Sequence, residues 1–143
     1  MLFRSGLPLP DTEMCIRDED GKDLPVGQVG EIYIRGPQVM RGYWQQEAET
    51  KNVLGADGFF RTGDIGIMND AGYFKIVDRK KDMILVAGFN VYPNEVEDVV
   101  ATVPGVVECA VVGVHQVSMG EAVKLFVVRE DTSVTEEIGR AHV

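Results

Sequence analysis

The sequence has few of the residues that build metal centres and covalent cross-links. Its 143 residues include two cysteines and two histidines. Cys15 and Cys109 lie far apart and no Cys-x-x-Cys pair occurs, so neither a zinc site nor a disulfide framework is predicted. His115 and His142 have no sequence partner that would make a nucleophile or a metal site, and both are expected at the surface.

Basic side chains and long apolar runs are also scarce. Fourteen basic residues stand against 23 acidic ones, a net charge of -9 that repels nucleic acids and anionic lipids. Apolar runs such as Ala110 to Val114 fall far short of the roughly 20 residues that a membrane helix needs. No charged and then apolar leader is expected at the N-terminus. A soluble protein of the reducing cytoplasm, with no nucleic-acid partner, is predicted.

Short strands separated by glycine-rich turns are predicted before Asp78. Alternating apolar and polar residues and the turn at Asn69-Asp70-Ala71-Gly72 are typical of antiparallel hairpins. The predicted strands are Glu13 to Arg17, Gly30 to Arg35, Ile65 to Met68 and Tyr73 to Val77. Trp44 to Val53 is compatible with a helix.

A different pattern follows the charged run from Asp78 to Asp82. Asp82 to Ala87 and Phe89 to Val91 are predicted to pair around Gly88. Pro93 is predicted to begin a helix whose valines follow helical spacing. Val106 to Val114 and Val123 to Val128 are predicted as buried strands. The fold class is therefore α+β, and the charged run is the best domain boundary.

Several motifs in a fixed order resemble those of the adenylate-forming (AMP-binding) superfamily. From Gly6 to about Glu137 the chain is similar to the C-terminal part of its acyl-CoA synthetases, in particular bacterial long-chain fatty-acid CoA ligases. The matching motifs are Gly6-Leu7-Pro8, Gly30-Glu31-Ile32, Gly36-Pro37-Gln38-Val39-Met40, Gly42-Tyr43-Trp44, Phe60-Arg61-Thr62-Gly63-Asp64, Ile76-Val77-Asp78-Arg79-Lys80-Lys81-Asp82-Met83-Ile84, Gly88-Phe89-Asn90-Val91-Tyr92-Pro93-Asn94-Glu95-Val96-Glu97 and Gly120-Glu121-Ala122-Val123-Lys124.

The resemblance implies a division of the chain into three parts. Residues 1–78 would be the β-rich end of the large AMP-binding domain, residues 79–81 the hinge, and residues 82–143 a truncated C-terminal lobe. Such enzymes activate a carboxylate with ATP as an acyl-adenylate and then transfer the acyl group to coenzyme A. Small-molecule substrates, namely a fatty acid, ATP and coenzyme A, are the implied partners.

By resemblance, three residues would bind the nucleotide. Asp64 would accept hydrogen bonds from both ribose hydroxyls, which a charged acceptor makes strong. Arg79 would reach the ribose and phosphate side with a guanidinium that stays protonated. Ile76 would lie beside the nucleotide. The alternatives are a solvated turn aspartate, a surface ion pair of Arg79 with Asp78 or Asp82, and a plain core isoleucine.

Two further positions are implied by resemblance. Lys81 would be the hinge residue about which the small lobe turns between the half-reactions, or else an ordinary surface lysine. Gly88, Phe89 and Asn90 would form the loop that approaches coenzyme A, with a tight hairpin as the alternative reason for the glycine. Tyr43 and Trp44, which follow Gly42, are expected in the core.

The family's phosphate loop, its magnesium-binding glutamate and its late lysine have no counterpart in the sequence. Magnesium would be bound by residues outside this chain, and no catalytic set is complete within it. Both ends are expected to be truncations, so the 143 residues are expected to be inactive alone. The parent enzyme would be cytoplasmic, and a peripheral association with the inner membrane is compatible with its substrate.

Other functions stay open at this point. An amino-acid-activating or a luciferase-like enzyme would share the motifs, although Leu85 replaces a lysine that luciferases carry four residues beyond the hinge. A non-catalytic module that binds nucleotides or a partner protein would share the fold.

Overall fold

The computed structural model describes residues 5–118, 120–130 and 135. Its elements are β1 (Ser5–Gly6), β2 (Glu13–Arg17), β3 (Val29–Arg35), α1 (Glu47–Val53), β4 (Phe60–Met68), β5 (Phe74–Arg79), β6 (Ile84–Val86), β7 (Phe89–Val91), α2 (Pro93–Val100), β8 (Val106–Gln116) and β9 (Gly120–Arg129). The chain divides into two compact units between Lys80 and Lys81. The predicted α+β class is confirmed.

The first unit is a five-stranded antiparallel sheet with the strand order β1-β5-β4-β3-β2. One face carries the core, in which Ile16, Ile32 and Phe74 are buried. The hairpin of β4 and β5 turns at Asn69, whose side-chain oxygen accepts the backbone N–H groups of Ala71 and Tyr73 at 3.0 Å each. That side chain fixes the turn that the sequence predicted.

The opposite face of this sheet is built from arginines stacked on aromatic rings. The guanidinium of Arg17 lies 4.9 Å from the ring centre of Tyr33 and 4.6 Å from that of Phe59. The guanidinium of Arg35 lies 4.4 Å from the ring centre of Phe59. Asp57 accepts a hydrogen bond from Arg17 at 2.8 Å. The stack buries much of Arg17 while keeping its charge paired.

The second unit contains a four-stranded antiparallel sheet in the order β7-β6-β9-β8, with α2 packed against β8. Pro93 occupies the first turn of α2, as the sequence predicted. The carboxylate of Glu97 on α2 accepts the backbone N–H of Val111 at 2.8 Å, which satisfies a donor on the edge strand.

The prediction of two buried strands in this unit is wrong. Only Val111 is buried in β8, and no residue of β9 is. Helix α2 covers one face of this sheet alone. The other face carries exposed valines and an exposed Phe126; it is formed by the pairs Ala110 and Phe126, Val112 and Lys124, and Val114 and Ala122. The continuous apolar runs of β8 and β9 therefore indicate that these segments form strands, but they do not indicate that both faces of the strands are buried.

Three smaller expectations also need correction. Trp44 is 86% exposed and Tyr43 45%, so neither is a core residue. The first helix begins at Glu47, because Gln45 adopts a positive φ of 55°. Residues 80–82 form a short 3-10 turn, so β6 begins at Ile84.

None of the helices in the part of the chain that is described has the length and apolar character needed to span a membrane.

Candidate functional site

The Thr62-Gly63-Asp64 segment is an irregularity within β4. Glu31 pairs with Ile65 and Tyr33 pairs with Arg61, so three residues of β4 lie opposite Ile32 alone. The Thr62 hydroxyl donates to the Ile32 carbonyl at 2.8 Å and accepts the Asp64 N–H at 3.1 Å. Gly63 supplies the left-handed backbone, with φ of 74°. The bulge therefore re-aims Asp64, which is a common use of bulges.

Asp64 and Arg79 are direct neighbours across β4 and β5. The Asp64 Oδ1 atom lies 3.8 Å from Arg79 Nε, and their side chains are 33% and 65% exposed. The separation exceeds that of a hydrogen bond, so both groups keep capacity for another polar partner. Arg79 thus forms an ion pair with Asp64, and its role in nucleotide binding stays a prediction.

Ile76 shares a face of the sheet with this pair because of a second irregularity. Ile76 pairs with Gly66 and Arg79 pairs with Asp64, and the register shift leaves Val77 as an extra residue on β5. Asp64 and Gly66 are two positions apart on β4 and therefore lie on one face. Their partners Arg79 and Ile76 share that face although they are three positions apart on β5. Ile76 is half-buried against the core. An acid, a cation and an apolar side chain are thus presented together.

A buried carboxylate that sequence reasoning did not single out lies on the opposite face. Glu31 is 5% exposed, and its Oε2 atom accepts hydrogen bonds from Lys80 Nζ at 2.9 Å and Arg61 Nη2 at 3.1 Å. Burial by itself would raise the pKa of Glu31, but the hydrogen bonds from Lys80 and Arg61 outweigh burial and lower the pKa below 4.5. The Gly30-Glu31-Ile32 motif was the feature of the sequence that could have drawn attention to Glu31.

The other predicted positions belong to the second unit. Lys81 is exposed and begins that unit. Gly88 forms the β6–β7 turn with Ala87, and both have positive φ, 88° and 50°. This pair of angles is that of the primed hairpin turns, so the turn alone accounts for the glycine. Phe89 follows it and is 76% exposed, and Asn90 is exposed as well.

The carboxylate of Glu121, which sequence reasoning did not single out either, connects β9 to the β6–β7 hairpin. Glu121 Oε2 accepts the N–H of Leu85 at 2.7 Å. The backbone ladder between β6 and β9 contains the single pair Val86 and Gly120. The side chain of Glu121 therefore extends a pairing that the backbone makes only once.

Acidic and sulfur side chains form no cluster that would bind a metal ion among residues 5–118, 120–130 and 135. Cys15 and Cys109, which both belong to the described residues, are free thiols, and burial raises the pKa of each.

Comparison with known proteins identifies the family to which this geometry belongs. Residues 3–44 match the sequence profile of AMP-binding enzymes, and residues 95–143 match that of the AMP-binding enzyme C-terminal domain. The chain belongs to the AMP-binding enzyme family, and it matches two of that family's profiles in succession.

The similarity extends to particular relatives. The chain is 57% identical over 132 residues to a long-chain-fatty-acid–CoA ligase of Escherichia coli O6:H1, covering 92% of this chain and 23% of the ligase. Its structure matches that of ATP-bound MatB from Rhodopseudomonas palustris with a TM-score of 0.86 and 43% identity, over 91% of this chain and 26% of MatB. A Bacillus subtilis o-succinylbenzoate CoA synthetase in complex with its acyl-adenylate matches with a TM-score of 0.81 and 29% identity, over 95% and 28%. The chain spans about a quarter of the length of these proteins.

Proposed function

We propose that the chain supplies the nucleotide-holding wall and the hinge of a long-chain fatty-acid CoA ligase. The whole enzyme would join a fatty acid to ATP as an acyl-adenylate, with Mg²⁺ bound by residues outside this chain. It would then transfer the acyl group to coenzyme A. The identity to long-chain-fatty-acid–CoA ligases supports the choice of substrate. The domain limits 1–78, 79–81 and 82–143 belong to this proposal.

The observation that carries the proposal is the Asp64–Arg79 pair on the face shared with Ile76. A ribose presents two adjacent hydroxyls, and one carboxylate accepts hydrogen bonds from both. Arg79, beside that carboxylate, offers a planar set of donors for a phosphate or ribose oxygen. Ile76 gives the apolar contact that a base or sugar edge needs. The Thr62 hydroxyl and Gly63 hold the carboxylate in place for this task.

For the acyl-transfer half-reaction, the proposal assigns Lys81 to the pivot and Gly88, Phe89 and Asn90 to the coenzyme A loop. An exposed lysine absorbs a change in backbone angles without unpacking a core. A rigid two-residue turn presents Phe89 at the tip of a hairpin. These 143 residues alone would complete neither half-reaction, so binding and not turnover is the property to measure.

Calorimetric titration of the chain with AMP tests the nucleotide assignment. Asp64→Asn keeps the shape of the side chain and removes its charge, so we expect the AMP dissociation constant to rise about tenfold, the value of one charged hydrogen bond. Asp70→Asn, in the exposed β4–β5 turn, is the matched control and should bind as the unaltered chain does. Equal affinities for Asp64→Asn and the unaltered chain would refute the role of Asp64. Absence of AMP binding to the unaltered chain would favour a non-catalytic interaction module.

A further inference from the structure

Arg61 and Lys80 form ion pairs with the buried carboxylate of Glu31, in a cluster that no step of the proposed reaction uses. A carboxylate that is 5% exposed needs compensating charge, because its desolvation without a partner costs several kcal/mol. Both compensating groups converge on the same oxygen, from β4 on one side and from the residue after β5 on the other. The cluster thus ties the end of β5 to β3, across β4.

The two consecutive cations at this point are paired on opposite faces of the sheet. Arg79 pairs with Asp64, and it is 65% exposed. Lys80 reaches Glu31, and it is 34% exposed. Glu31 pairs with Ile65, the neighbour of Asp64 in sequence, so the two acids lie on opposite faces. A chain that is anchored through Lys80 on one face directs Arg79 to the other.

The cluster includes the last residue before the boundary between the two units. Lys80 is the last residue of the first unit, and Lys81 is the first of the second. Arg79 is further fixed by its N–H, which donates to Asp78 Oδ1 at 2.7 Å. The Lys80 side chain therefore attaches the chain to β3 directly after Arg79, the last residue of the β4–β5 ladder.

We propose that Glu31 is a positioning residue for the nucleotide site and the hinge. Its ion pair with Lys80 fixes the end of β5, directs Arg79 toward Asp64, and makes Lys81 the first residue that is free to turn. The anchoring follows from the geometry of the first unit. Its effect on nucleotide binding rests on the function proposed above.

Amide hydrogen exchange, measured by NMR on the full chain, tests the anchoring without a nucleotide. In Glu31→Gln and in Lys80→Met we expect exchange at positions 79 and 80, relative to the intrinsic rate of each sequence, to accelerate roughly tenfold, the loss of one charged hydrogen bond. Lys80→Arg keeps the charge and should restore slow exchange. Glu13→Gln is the matched control, because Glu13 also pairs with an arginine but is exposed and distant from β5 in the sheet order.

Unchanged exchange at positions 79 and 80 in Lys80→Met would overturn the proposal. Lys80→Met also serves if Glu31→Gln fails to fold, because it leaves Glu31 paired with Arg61. AMP titration of the same variants forms the second arm. We expect weaker AMP binding in Lys80→Met, with Asp64 and Arg79 both intact, and recovery in Lys80→Arg. If the unaltered chain binds no AMP, the proposed function fails while the exchange rates still decide the anchoring.

Discussion

Gly63 shows how a single backbone angle prepares a side chain for function. Its φ of 74° belongs to the left-handed region that a side chain disfavours, yet a Cβ atom placed there would meet no other atom within 4 Å. The glycine is therefore required by conformation and not by space. Its neighbour Thr62 closes the same bulge with two hydrogen bonds.

We expect Gly63→Ala to lower the free energy of unfolding by about 1–2 kcal/mol, the cost of a left-handed alanine. Urea titrations monitored by circular dichroism measure this difference in the free energy of unfolding. Gly6→Ala is the control, since Gly6 has open space around it and no positive φ. A Gly63→Ala variant as stable as Gly6→Ala would show that the bulge relaxes at no cost.

At this scale the motifs in the sequence pointed to Asp64 and Arg79, whose role in nucleotide binding stays a prediction. A salt bridge of Arg79 with an adjacent aspartate was the alternative interpretation, and the pairing of Arg79 with Asp64 across the two strands was not foreseen. Glu31 was overlooked because one glutamate in an alternating strand looks like a solvent-facing residue. Its burial depends on Arg61 and Lys80, which lie 30 and 49 residues away along the chain.

At the scale of elements, side chains repair pairings that the backbone leaves incomplete. Glu97 satisfies the N–H of Val111 on the edge strand β8, and Glu121 satisfies the N–H of Leu85 on β6. Glu97 connects the consecutive elements α2 and β8, and Glu121, 36 residues away from Leu85, connects β9 with β6. Charged acceptors suit this purpose because they bind N–H groups more strongly than neutral ones do.

Replacement of Glu121 tests whether β6 depends on such a repair. In Glu121→Ala we expect a loss of about 1 kcal/mol of stability, discounted for solvent exposure, and faster amide exchange at Leu85 and Val86. Glu121→Gln keeps an acceptor oxygen and should recover most of the protection. Slow exchange at Leu85 in the alanine variant would mean that the single backbone pair is sufficient.

Element types followed from sequence more readily than burial did. β2 and the start of α2 coincide with their predicted residues, because alternation and a proline in the first turn are local signals. Exposure of β8 and β9 was not predictable, since a valine-rich strand looks the same whether one face or both are covered. The start of β4 was missed because its bulge interrupts the alternation.

Across the whole molecule, carboxylates whose pKa values are lowered in the folded state make the stability depend on pH. The folded-state pKa of Glu31 is below its ordinary value of 4.5. The stabilisation that this shift provides is complete above that ordinary value and is lost as the pH falls through the lowered folded-state pKa. Asp57, whose pKa is lowered first of all by its hydrogen bond from Arg17, acts in the same direction.

We therefore expect the chain to lose stability below about pH 4.5, and the loss to be smaller in Glu31→Gln, which cannot titrate at this position. Free energies of unfolding from urea titrations between pH 7 and pH 3 measure the slope. The Glu13→Gln variant separates this effect from that of a surface acid. Parallel slopes for Glu31→Gln and the unaltered chain would contradict the assignment.

The extra residue Val77 makes the bulge in β5 a condition for the pairing of Asp64 with Arg79. If β5 kept its length but lost the bulge, regular alternation would place Asp78 opposite Asp64, and both cations would exchange faces: Arg79 would meet the side of Glu31 and Lys80 the side of Asp64. The exposed turn from Asn69 to Gly72 has no such requirement. Natural relatives should therefore vary in the length of that turn, while those with five residues from Ile76 to Lys80 should keep the bulge and a relative with one residue fewer there should have a regular strand.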